Sequence, residues 1–177
     1  PAQALAHRLG FPNPPAPKKA VAERMRQYVE NGGFLFAMCG ATETLELAVA
    51  GSDVDIAGNF ADGTPIDGNA DAKMRWARSF AFANAHLEQS PFVNAQSDID
   101  GHQVNVPGRR QPLGTFTLFS FSAKFDPVPA MVVQNQRSVI PDFYGVTTSF
   151  TKATLKPNVI VLAHERESGE GALWTRP

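Results

Sequence analysis

Gly32-Gly33-Phe34-Leu35-Phe36-Ala37-Met38-Cys39-Gly40-Ala41-Thr42-Glu43 is the stretch on which the fold of this chain turns. Phe34 to Met38 is a continuous apolar run of strand length with no polar alternation, the pattern of a strand buried on both faces of a parallel sheet. Cys39-Gly40 turns the chain, and Ala41 to Ala50 reads as a helix closed by Gly51. Upstream, Lys18 to Asn31 carries Val21, Met25, Tyr28 and Val29 at helical spacing with charges on the other face, and Gly32-Gly33 supply the C-cap and turn. Helix, buried strand, tight turn, helix is the unit of an open α/β sheet.

A strand that ends in a sharp turn into a helix projects the turn residue from the carboxyl edge of the sheet, where open α/β sheets bind ligands. The helix that follows directs free N–H groups and a positive dipole end at that side chain, which favours thiolate over thiol. Gly40 N–H, first in line, is placed to supply half of an oxyanion hole. Such a turn needs small residues two positions either side of the nucleophile. Ala37 and Ala41 satisfy this, with Gly40 adjacent. The alternative is a small buried hydrophobe closing a core strand, the commonest fate of an unpaired cysteine.

Working outward, residues 1–17 end in Phe11-Pro12-Asn13-Pro14-Pro15-Ala16-Pro17 and read as an irregular lead-in. Residues 18–50 form the helix–strand–elbow–helix segment. From 51 to 114 Gly, Asp, Asn and Pro are frequent and periodicity weakens, so a loop-rich insertion is expected, with a short helix around Ala70 to Arg78. Residues 115–177 hold strand candidates at Thr115–Phe121, Ala130–Gln134, Gly145–Phe150 and Val159–Ala163. The expected architecture is one α/β domain, a three-layer αβα flavodoxin-like sheet incomplete at both ends. The chain starts at Pro1 and stops at Trp174-Thr175-Arg176-Pro177, inside what reads as a strand, so it is taken as part of a longer protein, cytoplasmic or exported.

The 177 residues are 43% apolar and 19% charged, with thirteen Phe, a globular and not a disordered composition. A formal charge of -1 gives no electrostatic case for nucleic acid or an anionic membrane. No apolar run approaches the roughly 20 residues that span a bilayer. One cysteine excludes an internal disulfide and any zinc site built on several thiolates.

The stretch from Gly32 to Glu43 resembles a group of bacterial proteins that carry the name asparagine synthetase B and are similar to class I glutamine amidotransferase or trehalose-utilisation domains. The likeness continues through Ser97-Asp98-Ile99-Asp100, Phe116-Thr117-Leu118-Phe119, Phe121-Ser122-Ala123-Lys124, Asp126-Pro127-Val128-Pro129, Gln134-Asn135 and Lys156-Pro157, covering about residues 18 to 165. An asparagine synthetase proper uses an N-terminal cysteine and an ATP-pyrophosphatase domain. Cys39 is internal, and no Gly-rich phosphate loop with a following Lys is present, so the amidotransferase-like domain is the part that fits. The resemblance implies cysteine-dependent hydrolysis or transfer at an amide, with Cys39 as nucleophile, Gly40 in the oxyanion hole, a small-molecule substrate and no cofactor. It places the catalytic His on a segment after Gly169-Glu170-Gly171-Ala172-Leu173-Trp174, beyond this chain. Competing readings are a non-catalytic relative that keeps the elbow to bind a small ligand or protein partner, and an oxidation-sensitive thiol switch.

Glu43 and Glu46 lie in the first turns after Cys39, where the dipole favours carboxylates, and Glu43 is a candidate ligand contact. His164-Glu165 follows an apolar run, but neighbours on a strand point to opposite faces, so a loop-edge histidine is expected in preference to a catalytic one. Asp98, Asp100 and His102 would share one face of an extended chain and could hold a divalent cation. Gly101 and Pro107 favour a loop with Asp turn caps instead, and no metal is expected. The Asp run from Asp53 to Asp71 lacks EF-hand spacing and reads as turn chemistry.

Overall fold

The computed structural model describes residues 2–89, 96–100, 114–118, 139–143, 149–165 and 169–175. The chain divides into two compact units, Pro1–Leu87 and Glu88–Pro177.

The first unit is helical: α1 (Ala2–Arg8), α2 (Pro15–Glu30), α3 (Ala41–Ala50), α4 (Asn59–Asp62), α5 (Ala70–Lys73) and a 3-10 turn at Trp76–Arg78. The lead-in expected to be irregular thus contains a helix, because Ala2-Gln3-Ala4-Leu5-Ala6 has high helix propensity and the prolines begin only after it. α1 closes on Gly10 at φ 81, with Phe11 N–H donating to Ala6 O at 2.9 Å and Gly10 N–H to His7 O at 3.0 Å. α2 closes the same way on Gly32 at φ 88, with Gly33 N–H donating to Tyr28 O and Gly32 N–H to Val29 O, both at 2.9 Å. A Cβ at Gly33 would clash with the exposed Tyr28 ring, which would have to swing aside.

The face on which α2 packs differs from the expected one. Ala22 is its buried residue, while Val21, Met25 and Tyr28 are exposed, Tyr28 by 58%. The inward side carries Lys19, which donates to the Val54 carbonyl, and Glu23, which accepts from Arg26 at 2.8 Å and from Arg78 at 2.6 Å. Specific polar contacts to 54 and 78 therefore set the rotation of α2 here, not its apolar stripe. α3 is anchored by Glu46, 1% exposed, whose carboxylate accepts Phe80 N–H at 2.7 Å and Ala81 N–H at 3.0 Å. Leu47, Val49, Ala70, Trp76 and Phe82 are among the buried residues of this unit.

Gly33–Met38 has no regular secondary structure and makes no strand pairing, and Phe34 and Met38 are 68% and 66% exposed. The expected strand buried on both faces is absent from the described residues, since a strand needs a neighbouring ladder and the described strands all belong to the second unit.

The second unit holds a sheet in the order β2-β1-β3-β4, from β1 (Gly114–Leu118), β2 (Val139–Phe143), β3 (Ile160–Glu165) and β4 (Gly171–Thr175). All three pairings are antiparallel. Thr117 lies opposite Val139 on β2 and His164 on β3, and Val161 opposite Trp174 on β4. β2 lies where no strand is expected, and it contains Pro141. It is an edge strand whose register slips where Pro141-Asp142 face Thr115, the setting in which a sheet accepts proline. The expected strands at 115–121 and 159–163 are present at their described positions. That at 130–134 lies outside the described residues, as do 145–148, and Phe150 forms isolated bridges with Asp100 and Gly171. The Phe150 ring occupies the space a side chain on Gly171 would need.

Candidate functional site: the Cys39 turn

Cys39 adopts φ 56, a left-handed conformation that a residue with a Cβ rarely takes. It stands between the apolar Phe34–Met38 and the first residue of α3, and it is exposed. Gly40 returns to the right-handed region at φ -57, ψ -14, and Ala41 begins the helix.

The turn is held by its own carbonyls. Met38 O accepts Ala41 N–H at 3.1 Å, and Cys39 O accepts Thr42 N–H at 3.2 Å and the Thr42 hydroxyl at 2.7 Å. Gly40 O accepts Thr44 N–H at 2.9 Å and the Thr44 hydroxyl at 2.8 Å. Thr42 and Thr44, to which the sequence reading gave no role, thus staple both turn carbonyls with their side chains. Two of the N–H groups expected at the thiol, those of Ala41 and Thr42, are used in closing the turn. Among the described residues Gly40 N–H donates no hydrogen bond, so it stays available to an acceptor beside Cys39.

Glu43, one turn further on, is 3% exposed, so Cys39 and Glu43 differ sharply in access to solvent. Glu46 is a structural acceptor for the 80–81 backbone. His86 pairs through Nδ1 with Asp71 Oδ2 at 2.8 Å, while Asp71 Oδ1 accepts Leu87 N–H at 2.7 Å. Burial works against ionisation of Asp71, and the two donors together overcome it and hold its carboxyl below the usual range. The fifteen-residue separation of this pair leaves no local signal in the sequence.

The remaining candidates fall into place in the two units separately. His164 is within β3, half-buried between Thr117 and Gly171, and not at a loop edge. Asp98 is exposed and Asp100 buried, with a turn at 98–99, so they do not share the face a cation site needs. His102 lies outside the described residues, and among those described no group of three metal-ligating side chains occurs. The Asp run makes turns: Asp55 accepts Ala57 N–H at 3.0 Å, and Asp62 accepts Thr64 N–H at 2.9 Å. No described helix is long and apolar enough to cross a membrane. No protein-family model, curated protein or solved structure matches the chain.

Proposed function

We propose that Cys39 is the nucleophile of a class I glutamine amidotransferase-like domain that hydrolyses or transfers an amide or a similar carbonyl group. The observation that carries this reading is the exposed Cys39 at φ 56, set between the apolar segment Phe34–Met38 and the start of α3. Strain of this kind in a residue other than glycine concentrates at functional turns. The thiolate attacks the carbonyl carbon, the oxyanion accepts the Gly40 N–H, and collapse expels the amine as it gains a proton. Water then cleaves the thioester and regenerates the thiol. The three-layer αβα sheet belongs to the same proposal. It is supported by Phe34, Met38, Val21 and Tyr28, apolar residues exposed on the segments that such a sheet would cover.

The test is alkylation of Cys39 by iodoacetamide at pH 6.5, followed by mass spectrometry, beside ammonia release from glutamine and simple amides. An activated elbow reacts about tenfold faster in the folded chain than in urea-unfolded chain. Equal or slower reaction in the folded state, with no ammonia released, removes the nucleophile.

A further inference from the structure

Between the start of α2 and the loop at 52–55 the first unit has an open cavity of about 460 Å³. Phe11, Pro12, Pro15, Ala16, Ala20 and Val54 give it an apolar wall. Lys19 is half-buried in this wall and donates to the Val54 carbonyl, whereas its neighbour Lys18 is exposed. We propose that this cavity binds a small aldehyde or ketone, with Lys19 Nζ forming a Schiff base to its carbonyl carbon.

The charges around Lys19 favour a neutral ligand, and the lysine itself supplies the nucleophile for a carbonyl carbon. The acidic groups of the wall are already engaged: Glu23 by Arg26 and Arg78, Asp53 by Arg75, and Asp67 by Lys73 at 3.6 Å and the Asp55 N–H at 3.0 Å. Asp55 accepts Ala57 N–H at 3.0 Å and the Thr64 hydroxyl at 2.8 Å. A cationic ligand would have to displace these partners and repel Lys19, and an anionic one would face Asp55 and Asp67. A neutral carbonyl compound meets neither obstacle. Burial lowers the Lys19 pKa despite the opposing pull of Asp55, Asp67 and Asp62, so neutral amine is more accessible than at a solvated lysine. Neutral Lys19 keeps one N–H for Val54 O and has a lone pair to form the new bond.

In the reaction the ammonium first releases a proton to solvent. The nitrogen lone pair then attacks the carbonyl carbon, and the oxygen takes up a proton to give a carbinolamine. Protonation and loss of the hydroxyl as water leave an iminium, with no change in oxidation state. The iminium carries the single positive charge that Asp55, Asp62 and Asp67 face in the resting chain.

The experiment is brief exposure of the whole chain to propanal and sodium cyanoborohydride at neutral pH, with peptide mass mapping of the propylated lysines. Lys19 is expected to carry about fivefold more label than exposed Lys18, as desolvated amines do relative to solvated ones. Ala16→Leu, which fills the cavity, should bring Lys19 down to the Lys18 level and leave Lys73 unchanged; Ala20→Met serves if that variant does not fold. Lys19 labelled no more than Lys18 in the parent chain overturns the proposal. So does a preference for Lys19 that survives filling of the cavity, since the amine would then react without a site.

Discussion

Replacing Cys39 by alanine and by glycine separates the backbone of the turn from the chemistry of the thiol. At an ordinary position glycine is less stable than alanine by about 0.5–1 kcal/mol, because it loses more chain entropy on folding. At φ 56 the Cβ of alanine, like that of cysteine, costs about 1–2 kcal/mol that glycine does not incur. The two effects oppose, and the net is about 0.5–1 kcal/mol in favour of glycine. Cys39 is exposed, so loss of burial adds little to either variant. The assay is urea unfolding followed by far-UV circular dichroism, which reports the described α-helices, all in the first unit. Cys39→Gly should have the higher midpoint with unchanged m, and Cys39→Ala should match the parent. Alanine equal to or more stable than glycine would show that residue 39 is not held left-handed, and the elbow would go with it.

Three further outcomes follow from particular contacts. Glu46→Ala removes the acceptor of the buried Ala81 N–H and the part-buried Phe80 N–H and should cost about 2–4 kcal/mol, with Glu46→Gln intermediate, measured by the same unfolding. Hydrogen bonds from Arg26, with the charge of Arg78 behind them, lower the Glu23 pKa from 4.5 to about 2. Its stabilisation is therefore present above pH 4.5 and lost as pH falls towards 2, about 1 kcal/mol once solvent screening of a partly exposed pair is allowed for. A Glu23→Gln chain should be less stable than the parent at pH 6 and converge with it near pH 2. A constant gap would refute the assignment. Gly32→Ala should lower stability by about 1 kcal/mol through its φ of 88, whereas Gly40→Ala, at φ -57 with open space around it, should leave stability within about 0.5 kcal/mol of the parent; equal losses at the two positions would contradict the cap geometry.

The elements with local causes were legible in the sequence. Gly32-Gly33 ends α2, Gly51 ends α3, and Asp55 and Asp62 cap turns two residues on, because each of these features depends on residues within one helical turn of itself. The position of the candidate site was legible for the same reason, since Cys39-Gly40 between an apolar run and a helix is a local pattern. Features set by distant partners were not. The rotation of α2 depends on Arg78 and Val54, more than thirty residues from its charged face, and the His86–Asp71 pair joins α5 to the segment that follows the 3-10 turn. The apolar spacing of Val21, Met25 and Tyr28 gave the helix but not the side it buries. Pro141 concealed β2, because its place on an edge strand can be known only once the sheet order is.

The division into two compact units has a spectroscopic consequence. The chain has two tryptophans, Trp76 in the first unit and Trp174 on β4 in the second, so each unit carries its own fluorophore. Chains with Trp76→Phe or Trp174→Phe would each emit from a single unit. Paired denaturation curves from them would assign every loss of stability to its half of the molecule and reveal whether the halves melt together.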